Sequence, residues 1–364
     1  MTEPTPAPSN PLPAITPAPH QRRMRYTGTH PKQFAEKYKE LDPVLHADEL
    51  KKVMARGQTP AGMHRSICVA EILAILKPQP GETALDATLG YGGHTREILP
   101  HLLPGGRLFG IDVDPVELPR TEARLRKLGF DESQLVVRRI NFSALATLLP
   151  EAGGFDVVLA DLGVSSMQID NPARGFSFKL EGPLDLRLDP GAGQSAMELL
   201  LSVTRQRLRD LLIDNADEPH AIPLANALQG QYVETTTQLA ALVRGAVDGA
   251  LNPRMPLEER ETEIKKALQR TFQALRIEVN NEFGVLDALL LQLPACLAPG
   301  GRVAILSFHS GEDRRVKKAF QTGERSGIYA QVAPDAIRAS FEERRANPRS
   351  TSAKLRWAVR AAHG

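Results

Sequence analysis

The run Asp86–Ala87–Thr88–Leu89–Gly90–Tyr91–Gly92–Gly93–His94–Thr95 joins an apolar stretch of strand character to a helical one. Glycine at such a turn lets the backbone bend sharply, and the helix behind it aims its N-terminal N–H groups at a bound ligand. The spacing approaches the dinucleotide pattern G-x-G-x-x-G, with Gly90 and Gly92 in place, but Thr95 stands at the third glycine. A pyrophosphate cradle is therefore disfavoured. A cationic ligand without phosphate needs only backbone contacts and a nearby acid, for which Asp86 is a candidate. The second mark is Asp112, in Phe109–Gly110–Ile111–Asp112–Val113–Asp114–Pro115. A carboxylate at a strand end can accept from both ribose hydroxyls, and it repels a 2′-phosphate. In this order on consecutive strands, the two features point to an adenosyl cofactor. Phe142, after a third strand, is a candidate for the adenine face, with a place in the core as the even alternative.

Alternating strands and helices are needed to position these groups. Apolar stretches predict strands at Thr83–Ala87, Arg107–Val113, Leu135–Ile140, Asp156–Asp161 and Arg302–Phe308. Helices are predicted at Ile67–Leu76, Thr95–Leu103, Leu118–Leu128 and Val285–Leu297. That alternation implies an α/β fold with a parallel, doubly wound sheet. Ala353–Val359 alternates Leu355, Trp357 and Val359 with Lys354 and Arg356, which predicts a half-buried strand on the sheet edge. Roughly Gly182 to Arg276 reads as helical, is too long for a loop, and predicts a helical insertion subdomain between strands four and five. Residues 1–30 are proline-rich and predict a disordered leader, and residues 31–63 a helical extension. The expected plan is thus 64–181 with 277–364 as the α/β domain, and 182–276 as the insertion.

With 364 residues, 42% of them hydrophobic, the chain can bury a full core. Cys68 and Cys296 both sit in apolar runs, so they read as buried, and two cysteines exclude a disulfide framework or a cysteine-rich metal site. No apolar run approaches the roughly 18–20 residues of a membrane span, and no secretory core is evident, so a cytoplasmic protein is the simplest reading. The net charge of +2 hides an asymmetry of +7 over residues 301–364 against −5 over the rest. This predicts a polyanion partner near the C-terminus, with a solvated basic surface as an equal alternative.

Longer strings carry a resemblance. Asp86–Thr95, Asp161–Asp170, Ala173–Phe178, Gly182–Arg187, Thr271–Ile277, Ser307–Arg314 and Asn347–Arg356 resemble, in order, the RsmH/MraW family of 16S ribosomal RNA cytosine-N4 methyltransferases. The resemblance spans about His64 to Arg360. It implies a class I Rossmann-like methyltransferase sheet and S-adenosyl-L-methionine as cofactor. It implies cofactor contacts at Gly92, Gly93, His94, Asp112, Phe142, Asp161 and Gln168. The implied target is a cytosine N4 in the decoding region of the small ribosomal subunit, with the insertion helping to recognise RNA and a homodimer left open. Departures mark a divergent paralogue. His64–Val69 lacks the family's proline, and Lys266–Thr271 lacks its His and Pro. Gly311 replaces a Leu and Thr351 an Arg, and residues 1–63 have no counterpart in the basic pattern.

An exocyclic amine is a poor nucleophile because its lone pair is delocalised into the ring. It must be aligned with the methyl donor and given a hydrogen-bond acceptor as charge develops. Asp161, at the carboxyl end of strand four, is the candidate catalytic group, with His94 as a possible proton relay. Phe176, Phe178 and Phe308 are candidates to receive an unstacked base, although a core role carries more weight for each. His309–Asp313 fits no common zinc spacing and reads as helix capping, so no metal is expected. A DNA amino-methyltransferase should carry a D/N/S-P-P-Y/F string where Asp161–Leu162–Gly163–Val164 stands. The remaining rivals are a non-catalytic, cofactor-binding assembly factor and, disfavoured by Thr95, an NAD-dependent dehydrogenase. Arg349, Lys354 and Arg356 are the candidate phosphate contacts, outside the cofactor pocket, against ion pairs with Glu342 and Glu343. Should they fail, the alternative RNA contacts are Arg260, Lys265, Lys266 and Arg270 on the insertion.

Overall fold

Seven strands build one sheet: β1 (Thr83–Asp86), β2 (Arg107–Asp112), β3 (Leu135–Arg139), β4 (Phe155–Asp161), β5 (Leu297–Ser307), β6 (Tyr329–Val332) and β7 (Lys354–Arg360). Their spatial order is β3-β2-β1-β4-β5-β7-β6. The first five run parallel, β7 is antiparallel to β5, and β6 pairs antiparallel with β7. The computed structural model describes residues 66–362. The expected leader and N-terminal helical extension lie outside the described residues, as do His64 and Arg65.

Alternation along each strand sends successive side chains to opposite faces, and both faces are covered. On one face Ala84, Leu108, Val157, Leu159, Ala304 and Leu306 pack with α1 (Val69–Leu76), α2 (Gly93–Leu102) and α3 (Glu117–Lys127). The other carries Leu85, Phe109, Val158, Val303 and Ile305. These meet α4 (Leu149–Ala152) with its preceding 3-10 turn Phe142–Leu148, and residues of two later helices.

Seven helices lie between β4 and β5. They are α5 (Ser166–Asp170), α6 (Ala196–Ser202), α7 (Arg205–Ala216), α8 (Ala221–Leu228), α9 (Thr236–Ala250), α10 (Leu257–Val279) and α11 (Glu282–Cys296). Three of them start at capping boxes readable in the sequence: Ser165 with Gln168, Ser195 with Glu198 and Thr235 with Gln238. Helices α6 to α10 share a core of their own, including Leu200, Leu208, Leu212, Leu224, Val243, Ile264, Phe272 and Leu275. Helix α10 runs through the expected boundary at Arg276 to Val279, and α11 begins at Glu282 rather than Val285. Asn280 makes the corner, donating to the Leu186 and Arg276 carbonyls and accepting from the Leu188 N–H. After β5 come α12 (Ser310–Arg325) and the short α13 (Phe341–Ala346).

The last strand is not on the edge. β7 sits between β5 and β6, and β6 forms that edge of the sheet. A four-residue strand with two exposed positions, Ala330 and Gln331, leaves no readable period in the sequence. With β7 internal, Arg356 is only 7% exposed. Its guanidinium donates to Asp313 of α12 at 2.6 Å, beside Lys354 at 2.9 Å. The carboxyl-terminal excess of positive charge is thus partly answered within the chain. Arg302 pairs with Glu82, Arg314 with Asp217, Arg315 with Asp287 and Arg349 with Asp170. These ion pairs, and not pairs with Glu342 or Glu343, occupy Arg349, Lys354 and Arg356.

Candidate active site

The carboxyl ends of β1 to β5 open into one cavity of about 610 Å³, within the range of small-molecule sites. Gly93, His94, Asp112, Phe142, Asp161 and Gln168 all line it, together with Gly90, Tyr91 and Asn141. Four strand ends and a capped turn thus converge residues that lie up to 78 positions apart on one opening.

Two expected residues stand behind the wall instead. Asp86 is 1% exposed, accepts from the Thr95 hydroxyl at 2.8 Å and from the Thr88 N–H at 3.2 Å, and does not line the cavity. Burial pushes its carboxyl above the usual carboxylate range, although His94 and Thr95 counter this. It ties β1 to the start of α2 and is not free to meet a cation. Gly92 also stays out of the cavity. It caps α2 at φ +77°, and a Cβ there would lie 3.0 Å from both Thr121 and Leu125. Its role is to let the turn pack against α3 in a conformation that side chains disfavour.

Asp112 ends β2 half-buried. One carboxylate oxygen accepts from the Gly90 N–H at 2.8 Å and the other from the Asp114 N–H at 3.0 Å. Burial raises its pKa above the ordinary aspartate value against these two bonds. The carboxylate is therefore fixed in direction while retaining lone pairs toward the cavity. Phe142 follows directly, at the start of a 3-10 turn capped by Asn141, whose side chain accepts from the Ser143 N–H.

Asp161 ends β4, with its backbone N–H held by the Thr88 hydroxyl at 2.6 Å. Its Oδ2 lies 3.4 Å from Nε2 of His94, a buried imidazole. Neither His94 Nε2 nor Asp161 Oδ1 makes a hydrogen bond among the described residues. Burial lowers the His94 pKa, but the carboxylates of Asp161, Asp86 and Glu343 raise it more, and the net shift is upward. Gln168 reaches the cavity with both ends of its amide already engaged. Oε1 accepts from the Ser165 N–H at 2.8 Å, and Nε2 donates to Asp114 at 2.7 Å. Asp114 also receives Arg174 at 2.6 Å in a buried ion pair. Burial opposes ionisation of Asp114, yet Arg174 and Gln168 hold its carboxyl below the usual range. This network pins the loop after β4 to the loop after β2.

Several lining residues were not expected in the cavity. From α10 and α11 come Gln269, Phe272, Gln273, Arg276 and Glu282, and from the C-terminal segment Asn347, Arg349 and Ser352. Arg349 therefore belongs to the cavity wall, contrary to the expectation that placed it outside. Phe176, Phe178 and Phe308 line the same space, Phe176 being 8% exposed and packed in the helical core. Glu282, His309 and Glu312 bring ligand atoms within 4.8 Å of one another, a grouping made where the starts of α11 and α12 meet.

The residues present fit S-adenosylmethionine. A directed carboxylate at β2 suits the ribose, an aromatic after β3 suits the adenine, and the buried, unpaired Asp161 Oδ1 suits a cationic or N–H-bearing group. Comparison with known proteins agrees. The MraW methylase family matches residues 61–361. A protein of Alkaliphilus metalliredigens named ribosomal RNA small subunit methyltransferase H 2 is 55% identical, over 94% of this chain and 98% of its own length. One of Lachnoclostridium phytofermentans, named ribosomal RNA small subunit methyltransferase H 1, is 52% identical over 94% of this chain and 93% of its own. One of Leptothrix cholodnii, named ribosomal RNA small subunit methyltransferase H, is 42% identical over 82% and 93%. A match over 94% of 364 residues necessarily includes most of the 63 that precede His64, so that stretch has a counterpart in the first two relatives. From the family match and these identities, the chain belongs to the MraW methylase family and is an S-adenosylmethionine-dependent methyltransferase.

Proposed function

We propose that this chain methylates the exocyclic N4 amine of a cytosine in 16S ribosomal RNA, in the decoding region of the small subunit. The observation that carries the reading is the unpaired, buried Asp161 Oδ1 at the carboxyl end of β4, in a chain whose relatives are named ribosomal RNA small subunit methyltransferases. S-adenosylmethionine supplies an electrophilic methyl group on a sulfonium. Asp112 accepts from the ribose hydroxyls, Phe142 covers the adenine, and the Gly90–His94 turn offers backbone contact. Gln168 contributes through the loop it holds, with one amide N–H given to Asp114 and its oxygen accepting from Ser165. Asp161 accepts a hydrogen bond from the target N–H as positive charge develops on the amine, and so favours the lone pair turned toward the methyl group. Once methylated, the amine would have one proton to release, and Asp161 beside His94 would be positioned to take it.

Helices α6 to α10 supply RNA recognition in this reading. Among the basic residues there, Arg260 pairs with Asp248 and Lys266 with Glu263. Action on ribosomal subunits implies a cytoplasmic location; none of the described helices is long and apolar enough to cross a membrane. The test incubates the full chain with small subunits and isotopically labelled S-adenosylmethionine, then identifies the labelled nucleoside by mass spectrometry. Label in N4-methylcytidine is expected. Label in a different nucleoside, or none under single-turnover conditions, would refute the assignment.

A further inference from the structure

The cavity continues beyond Asp161 onto the end of β5, where Phe308, His309, Glu312, Arg276 and Glu282 line it. In sheet order the adenosine residues stand on β3 and β2, and Asp161 on β4. With strands ~4.8 Å apart, a cofactor laid from Phe142 to Asp161 meets its acceptor over the next strand, which is β5.

His309 is the first polar side chain there. Both its ring nitrogens are buried and make no hydrogen bond among the described residues. Nε2 lies 3.2 Å from Glu312 Oε1 but is not aligned for a hydrogen bond. Buried polar atoms are seldom left in this state without a ligand to complete them. Glu312 is 3% exposed and accepts from the Phe308 N–H at 2.9 Å. Burial opposes its ionisation, yet His309, that N–H and Arg276 hold its carboxyl below the ordinary glutamate range. A fixed carboxylate beside Nε2 favours a proton there and leaves Nδ1 for a ligand. The ring is further held by Phe283, 5.7 Å away centroid to centroid, which occupies the space that a side chain at Gly311 would need.

Glu282 gives both oxygens to Arg276, at 2.7 and 2.9 Å, so a three-ligand metal centre would have to share them with a guanidinium. A planar heterocycle suits the wall better. For its amine to point at Asp161, its ring needs a second in-plane polar partner, or it rotates out of line with the methyl group. We propose that His309, positioned by Glu312, contacts the polar ring edge of the acceptor base next to the reactive amine and thereby sets base specificity. The proposal rests on amine methylation as proposed above.

The test measures methylation of small ribosomal subunits by the full chain. His309→Phe keeps a ring of similar shape without polar atoms. It should lower kcat/KM for RNA ~10- to 100-fold, the effect of losing one buried polar contact. Cofactor Kd and melting temperature should stay at the parent values, and His309→Gln should recover part of the loss. Glu312→Gln should lower kcat/KM in the same direction by less. Parent-like kcat/KM in His309→Phe would overturn the proposal. So would a loss matched by equal loss of cofactor affinity, or a parent activity abolished by EDTA and restored by a divalent cation, which would make the cluster a metal centre. If His309→Phe does not fold, His309→Gln and Glu312→Gln decide by the same readouts. Failure of the underlying reading is separate: the parent protein's product would then not be a methylated amine.

Discussion

Replacing Asp112 by Ala tests the cofactor assignment most directly. The Asp112 carboxylate offers about four lone-pair directions. Two are taken by the Gly90 and Asp114 N–H groups, at 2.8 and 3.0 Å. Asp112 also lines the cavity, where a carboxylate at a strand end suits the hydroxyls of a ribose. A hydrogen bond to a charged group contributes ~1.5–3 kcal/mol net, so losing the ribose contact should weaken S-adenosylmethionine binding ~10- to 150-fold. The Gly90 N–H also loses its acceptor, so some of the loss comes from a looser turn. S-adenosylhomocysteine separates the two candidate origins of the effect, because it has the same ribose but no sulfonium charge. Both ligands should lose affinity by similar factors in isothermal calorimetry, with circular dichroism confirming the fold. Unchanged affinity in a folded variant removes Asp112 from the site. A loss confined to the cationic ligand refutes the ribose assignment and leaves Asp112 as a distant countercharge.

Three further outcomes are expected. The raised His94 pKa means its stabilising contribution is full below the ordinary imidazole value of ~6.5 and is lost as pH rises through the folded value. His94→Gln should therefore lower the melting temperature more at pH 6 than at pH 9, and an equal drop at both contradicts the pairing with Asp161. Arg356→Met should cost ~1–3 kcal/mol in urea unfolding, because it removes one of the two cations that hold buried Asp313. RNA affinity should keep its salt slope in that variant; a slope smaller by ~0.7–0.9 would reveal a phosphate contact. Gly92→Ala should lose ~1–2 kcal/mol from the left-handed backbone alone, and more from contact with Thr121 and Leu125. A variant as stable as the parent would show that the turn can relax.

The parallel core was legible because local signals and period agree there. Strands β1 to β4 end within one residue of the positions expected from apolar runs, and the Gly-rich turn and Asp112 fall at strand ends as anticipated. Motif strings were enough to indicate the family, since the residues that bind a ligand from consecutive strand ends must recur in a fixed order. Composition said less. The basic C-terminus suggested a polyanion, but net charge along a chain does not tell which acids fold against it, and Glu82, Asp170, Asp217 and Asp287 do.

Tertiary structure alone decided which polar groups are available. Asp86 and Asp161 look alike in sequence, each ending an apolar strand. Asp86 is closed off by Thr95 and Thr88, whereas Asp161 lines the cavity and its buried Oδ1 makes no hydrogen bond among the described residues. Gln168 lines the cavity and is at the same time the far half of a capping box tied to Asp114. The wall made by Arg276, Glu282, His309 and Glu312 was not legible as a wall, although Arg276, His309 and Glu312 lie in strings that carry the family resemblance. It joins the end of one helix, the start of another and the first turn of a third, and that meeting depends on packing between elements rather than on spacing within any one of them.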